Sequence, residues 1–345
     1  DDPAGPGNPS ALNLTVNVSD PTTAQSAQAT RPLLIEDRAP SVGFTWANGI
    51  IEHDTPFTLT VNHYADVAGD PMQQLRLVWD GDAANAQPLA LGGSASRSFG
   101  GLQAHTARLD VVNDDGSFSV ATVPFATAAS MGGASPNGTP AQWATAWTDS
   151  LMAISHKADA GNAAEPWSAA TLTALNAGAL AGGDLYGGLL GVSGRSANTS
   201  TVRQEIDGTE ALRIELAPGV RANSLILDVA RLFTDDAAGG LREAGTVLLY
   251  DGNTLVGGTA LLALNANGKL HVELLNQPVF TSLVFQAGAV DENAGGVFRP
   301  GGMVDPQGGY AQAPAGAGSE YLIEALQLLS LPGVPPMGQA IGFGE

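Results

Sequence analysis

The residues with most chemistry to offer are carboxylates in turn-like stretches. Asp235, Asp236 and Glu243 surround one break between apolar runs, while Asp291, Glu292 and Asp305 fall in a Gly-rich stretch farther on. Asp207 and Glu210 stand where another apolar run begins. Loop carboxylates can converge with backbone carbonyls on a hard cation, which is how Ca2+ is held. Calcium is therefore the expected cofactor, with Asp235, Asp236, Glu243, Asp291, Glu292 and Glu210 as its ligands. The competing reading is that Asp, Asn and Gly are ordinary turn formers. Asp80 and Asp82 resemble the opening of an EF-hand loop, but Asn85 stands where its glycine belongs and Leu91 where its glutamate belongs, so that motif is excluded.

A second chemistry is sugar recognition. Tyr186, Phe298, Arg299 and Tyr310 lie in Gly-rich, unpatterned stretches and could stack on or hydrogen-bond to a glycan. Catalysis has little to stand on. His53, His63, His105, His156 and His271 are scattered singly, without a metalloprotease pair. Gly191-Val192-Ser193-Gly194 misses the spacing of a nucleophile elbow, and no glycine run leads to a phosphate-loop lysine. The carboxylate pair of a glycosidase is defined by spatial separation, which sequence does not give. The chain is read as non-enzymatic.

Charge narrows the partners. The 345 residues carry 34 acidic and 14 basic side chains, a net charge of −20, and just two lysines, Lys157 and Lys269. Nucleic acid and anionic membranes both demand clustered Lys and Arg, so neither is expected. The absence of cysteine removes disulfides, thiolate metal sites and thiol catalysis together. No apolar run reaches the roughly 18 residues of a membrane span. Cysteine-free chains occur among exported and cytosolic proteins alike, so this absence sets no compartment.

The elements that must position these groups read as strands. Residues 11–19 form one, and the polar stretch 20–32 reads as a linker, so residues 1–30 are a tethered strand that could complete a neighbour's sheet. Short runs with turn residues between them, SVGFTW, PFTLTVNHY, QLRLVWDG, TARLDVVN and GSFSVATVPF, predict an immunoglobulin-like sandwich over 31–128, with Trp46 and Trp79 in its core. Asp114-Asp115-Gly116 marks a hairpin between the last two runs. The small residues of 126–138 read as a domain boundary. Thr139 and Pro140 then suit the N-cap and first position of a helix, along which Trp143, Trp147, Leu151 and Ile154 keep helical spacing. A second helix is expected over 165–180. Residues 205–287 read as six strands, most cleanly in GKLHVELL, where Leu270, Val272 and Leu274 alternate with polar residues. The stretch 288–319 has no period and reads as one long loop, the segment at 320–331 as a closing strand or short helix, and 333–345 as a tail. The expected class is all-β: the Ig-like sandwich, then a jelly-roll or galactose-binding-like sandwich over 129–332 with a helical insertion at 139–180.

The motif order EIDGTEALRIEL, LDVARLF, EAGTVLLYDGNTLVGG, FTSLVFQAG and GSEYLIEALQL resembles a module of large bacterial RTX-type surface adhesins over about residues 188–329. The resemblance implies a secreted, calcium-supported sandwich in a surface-anchored fibre, and Glu210, Glu243 and Glu320 are the acidic positions that match. It also implies a bacterial cell-surface or otherwise extracellular setting, with a cell-surface glycan or protein, or further copies of the chain in a fibre, as partner. The helical segment and the missing calcium nonapeptides depart from that family's pattern. The function expected is thus extracellular adhesion or structure, calcium-stabilised; the alternatives are a lectin-like carbohydrate-binding module and a filament subunit joined by strand donation.

Overall fold

In a computed structural model the chain is almost entirely β, and residues 10–35, 40–46, 49–66, 72–113, 117–170, 187–192, 205–234, 240–313 and 318–331 are described. Two compact units form, one from Asp1–Phe99 with Ala104–Ala126, the other from Gly100–Gln103 with Thr127–Glu345.

The first unit contains the expected sandwich. Strands Ser41–Trp46, Pro56–Ala65 and Ser94–Ser98 make one sheet; Gln87–Leu89, Gln74–Trp79, Ala104–Val112 and the start of Ser117–Gly132 make the other. Alternation buries Phe57, Leu59 and Val61 from the first against Leu75, Leu77, Leu109 and Phe125 from the second. Phe57 and Phe125 stack with centroids 4.1 Å apart, and Trp79 meets Phe57 edge-on at 5.9 Å. Trp46 does not join this core. It is 47% exposed because it ends an edge strand with a hydrogen-bonded neighbour on one side only. The Asp114-Asp115-Gly116 turn lies outside the described residues, although the flanking strands pair antiparallel as a hairpin requires.

Residues 20–32 are not a linker. Ser10–Ser19 and Ser26–Ile35 pair antiparallel over ten positions, closed by a turn in which the Asp20 carboxylate accepts from the Thr22 amide and the Thr23 hydroxyl, both at 2.7 Å. Ala24 completes that turn with a φ of 53°.

The second unit is another sandwich. One sheet runs Ser168–Ala169, Met152–Lys157, Ala211–Leu216, Ser282–Asp291, Ala244–Asp251 and Thr254–Leu262, with Val297–Pro300 beside the far end of Ser282–Asp291. The other places Glu320–Leu329 between Ser224–Ala230 and residues 128–132, with Leu270–Leu274 outside. Leu212, Ile214, Leu249 and Phe285 from the first meet Leu225, Leu227, Leu326 and Leu328 from the second. Leu270, Val272 and Leu274 face inward and His271 and Glu273 outward, as their period predicts.

Three expectations are corrected. The helix spans Pro140–Ala146 only; Thr139 caps it, with Gln142 returning the hydrogen bond. Beyond Trp147 the Asp149 carboxylate accepts the Leu151 amide at 2.7 Å and turns the chain, so that Met152–Lys157 pairs as a strand with Ala211–Leu216. Likewise Ser168–Ala169 is a strand rather than the start of a second helix, and residues 171–180 lie outside the described set. The two units divide between Ala126 and Thr127, within the stretch 126–138, but that stretch is patterned: strand Ser117–Gly132 runs through it, and Ala126, Ala128 and Ala129 are small because they are buried. Finally, 288–319 is not one loop, since Val297–Pro300 pairs with Ser282–Asp291 and Gly302–Val304 with Tyr310–Gln312.

Candidate functional site

Antiparallel register fixes what the seven-stranded sheet presents on its outer side. Ser155 pairs with Arg213, Arg213 with Val284, and Val284 with Leu248; Lys157 pairs with Ala211, and Ala211 with Gln286. Directly paired residues share a face. Leu212, Ile214, Val247 and Phe285 occupy the core side, so Lys157, Ser155, Arg213, Glu215, Gln286 and Tyr250 project from the opposite one.

Trp167, next to edge strand Ser168–Ala169, lies across this face. The Arg213 guanidinium carbon is 4.8 Å and the Lys157 Nζ 5.2 Å from its ring centre. Both cations rise from the outer side of the sheet, and the partly exposed ring packs against them. Arg213 is oriented further: its Nε donates to the Ser155 hydroxyl at 3.3 Å and its Nη2 pairs with Glu215 at 2.8 Å. Tyr250 adds a half-buried phenol whose pKa burial raises, which keeps it neutral and able to donate. Past Ala153 and Glu215 the face continues into a groove of about 600 Å3, closed by Pro218, Val220, Arg221 and Thr281. An aromatic plane, planar polar groups and an adjoining cleft suit a sugar-sized ligand.

The residues singled out from sequence fall elsewhere. Arg299 and Tyr310 are brought together with Asp291, the Arg299 guanidinium standing 5.0 Å over the Tyr310 ring and 3.2 Å from the Asp291 carboxylate, while Phe298, the preceding residue of the same strand, projects from the opposite face. Arg299 therefore covers the ring it was expected to accompany, and the cluster ties the two short hairpins down. Glu292 approaches Gly308 on the same side. Tyr186, Asp235 and Asp236 lie outside the described residues. Glu243 is fully buried and accepts the Phe233 amide at 2.6 Å, while Glu210 is buried beside Asp207, whose carbonyl accepts the Glu210 amide at 2.8 Å. Asp305 accepts from the Gln307 and Gly309 amides at 3.0 and 2.6 Å. These carboxylates act as turn and loop clasps, and among the described residues no three acidic or imidazole side chains converge as a metal site. Glu205 is buried too, beside Arg231, and its carboxyl is pushed up to about 8, chiefly by desolvation and then by the Glu320 charge.

Sequence reasoning missed Trp167, Lys157, Arg213 and Ser155. The signals were compositional: Trp167 is one of five tryptophans, and Lys157 one of two lysines.

No family model matches the chain, and no curated protein does. Among solved structures it is similar to a carbohydrate-binding module of the β-sandwich superfamily, at 9% identity and a TM-score of 0.34, over 86% of this chain and 100% of that one. A two-domain Bacteroides fragilis protein of unknown function aligns at 9% identity and a TM-score of 0.26, over 84% and 93% of the two chains. The surface glycan-binding protein PbSGBP-B of Prevotella bryantii aligns at 10% identity and a TM-score of 0.15, over 90% and 86%. Likeness this distant assigns no ligand. No helix among the described residues is long and apolar enough to cross a membrane.

Proposed function

We propose that the chain is a non-catalytic, extracellular glycan-binding module, with the outer face of the seven-stranded sheet as its sugar site. The observation that carries this is Trp167 packed on Lys157 and Arg213, with Ser155 holding Arg213, Gln286 and Tyr250 farther across the same face, and the groove at Arg221 at its end. A ring held by two cations offers a rigid surface to a sugar without ordering a mobile side chain on binding. Binding to immobilised polysaccharides tests the reading. The wild-type chain is expected to be retained, and Trp167→Ala to weaken retention at least tenfold, about 1.4 kcal/mol, with an unchanged thermal midpoint. Equal retention of both proteins would overturn the site.

The calcium-stabilised adhesive or structural module expected from sequence is the second proposal, favoured by the net charge of −20. A ligand held only by the folded chain raises its unfolding midpoint. A midpoint several degrees higher in millimolar Ca2+ than in EDTA is the expected result, and coincident midpoints would remove it.

A further inference from the structure

Lys157 is an oddity in so acidic a chain. It is 9% exposed, and its Nζ finds only the Asn162 carbonyl at 3.4 Å and the Trp167 ring among the described residues. Carboxylates stand close by in sequence but are engaged otherwise. Glu165 accepts the Ala158 and Asp159 amides at 2.7 and 3.0 Å, and Asp159 accepts the Gly161 amide at 2.9 Å. Among the described residues no carboxylate lies within salt-bridge reach of the Lys157 Nζ, and shielding an ammonium without a direct ion pair is costly. It is nonetheless placed beside Arg213, against the same ring, in a chain with 14 basic residues against 34 acidic.

Two cations against an aromatic ring also change its potential. A bare indole presents negative potential above its plane. With Lys157 and Arg213 against the ring, that potential is offset, so the ring is less suited to the positive C–H edge of a neutral sugar. It is better suited to a ligand carrying negative charge. Arg213 offers the planar fork that matches a carboxylate or sulfate. Its present partner, Glu215, is 52% exposed and can turn into solvent, leaving that fork to a ligand.

Resting on the glycan-binding reading, we propose that the ligand is an anionic glycan, its acidic group taking the place of Glu215 on the Arg213 guanidinium, its ring against Trp167, and the charge of the shielded Lys157 behind them. The shared chemistry is a saccharide bearing carboxylate or sulfate. The test uses the full chain and isothermal titration at 50 mM-scale and at about 500 mM salt, where exposed charge pairs are largely screened. The probes are an oligogalacturonate, its methyl ester, a sulfated galactan oligomer and a neutral galactan oligomer. At least one acidic probe is expected to bind tenfold or more tighter than the neutral oligomers, and to lose most of that advantage at high salt. Which acidic probe wins identifies the group. Arg213→Gln is expected to abolish the preference while leaving the circular dichroism spectrum unchanged, and Lys157→Met provides a second variant should the first misfold. Equal affinity for the acid and its ester, with no preference for sulfate, overturns the anionic ligand and leaves glycan binding intact. Binding of none of the probes by the folded wild type, together with no retention on polysaccharides, overturns both.

Discussion

Arg231 directs its Nε at the carboxylate of Glu205, a side chain with no solvent exposure, from a backbone with φ of 64°. A non-glycine residue in the left-handed region costs on the order of 1 kcal/mol. Here that conformation aims a guanidinium, 15% exposed, at a buried acid.

Glu205 should make stability fall with pH. Its carboxyl is pushed up to about 8, from a usual value of 4.5, by burial and the Glu320 charge, against the pull of Arg231. The folded state therefore holds a proton that the unfolded state releases near 4.5. Folded chains bind more protons throughout that window, so stability declines as pH rises from about 4.5 to about 8 and then levels. Glu205→Gln should flatten this decline in urea unfolding measured from pH 5 to 9. A variant with the wild-type slope would show that another group is responsible.

Gly245 should tolerate no side chain. A Cβ there would stand 2.5 Å from a Tyr321 ring carbon and 2.9 Å from the Gln286 carbonyl oxygen, and Tyr321 is fully buried. Overpacking of this kind costs about 1–3 kcal/mol. Gly245→Ala should lower the denaturation midpoint accordingly; an unchanged midpoint would mean that the Tyr321 ring moves freely.

The two tryptophans of the first unit should behave oppositely. Trp79 is 2% exposed among Phe57, Phe99 and Phe125, and Trp46 is 47% exposed. Trp79→Ala should cost about 3–5 kcal/mol, and Trp46→Ala about 0.5 kcal/mol or less. Similar losses in calorimetry would contradict the register of the Ser41–Trp46 strand.

Removing a competitor should strengthen anion binding. Glu215 pairs with the Arg213 guanidinium at 2.8 Å. Glu215→Gln should therefore tighten binding of the acidic oligosaccharide severalfold and leave the neutral one unaffected. Weakened binding would instead make Glu215 a positioning group for Arg213.

What the sequence disclosed follows from period and length. Strands of five to ten residues with one wet face, such as Leu270–Leu274, announce themselves by alternation. Val297–Pro300, Gly302–Val304 and Tyr310–Gln312 are three or four residues long, too short for any period to register, so a paired segment looked like a loop. Ser26–Ile35 carries Ala, Gln, Thr and Pro where a strand of this kind more often carries Val or Ile, and its ten partners were invisible without register. The sugar face was hidden for the same reason. Arg213 reaches Ser155 across 58 residues of chain, and only the pairing of Met152–Lys157 with Ala211–Leu216 brings them together. Trp167 was obscured by flanking alanines that favour a helix in isolation.

The central position of Glu320–Leu329 carries a kinetic consequence. This strand separates Ser224–Ala230 from residues 128–132, and its Gln327 reaches back to Ser130 across 197 residues. On a ribosome the second unit would wait with two strand edges unsatisfied until Leu329 had emerged. Pairings this distant are slow to close, and open edges in the interval invite association with other chains. The first unit needs nothing beyond Ala126 for its own sheets and could fold long before.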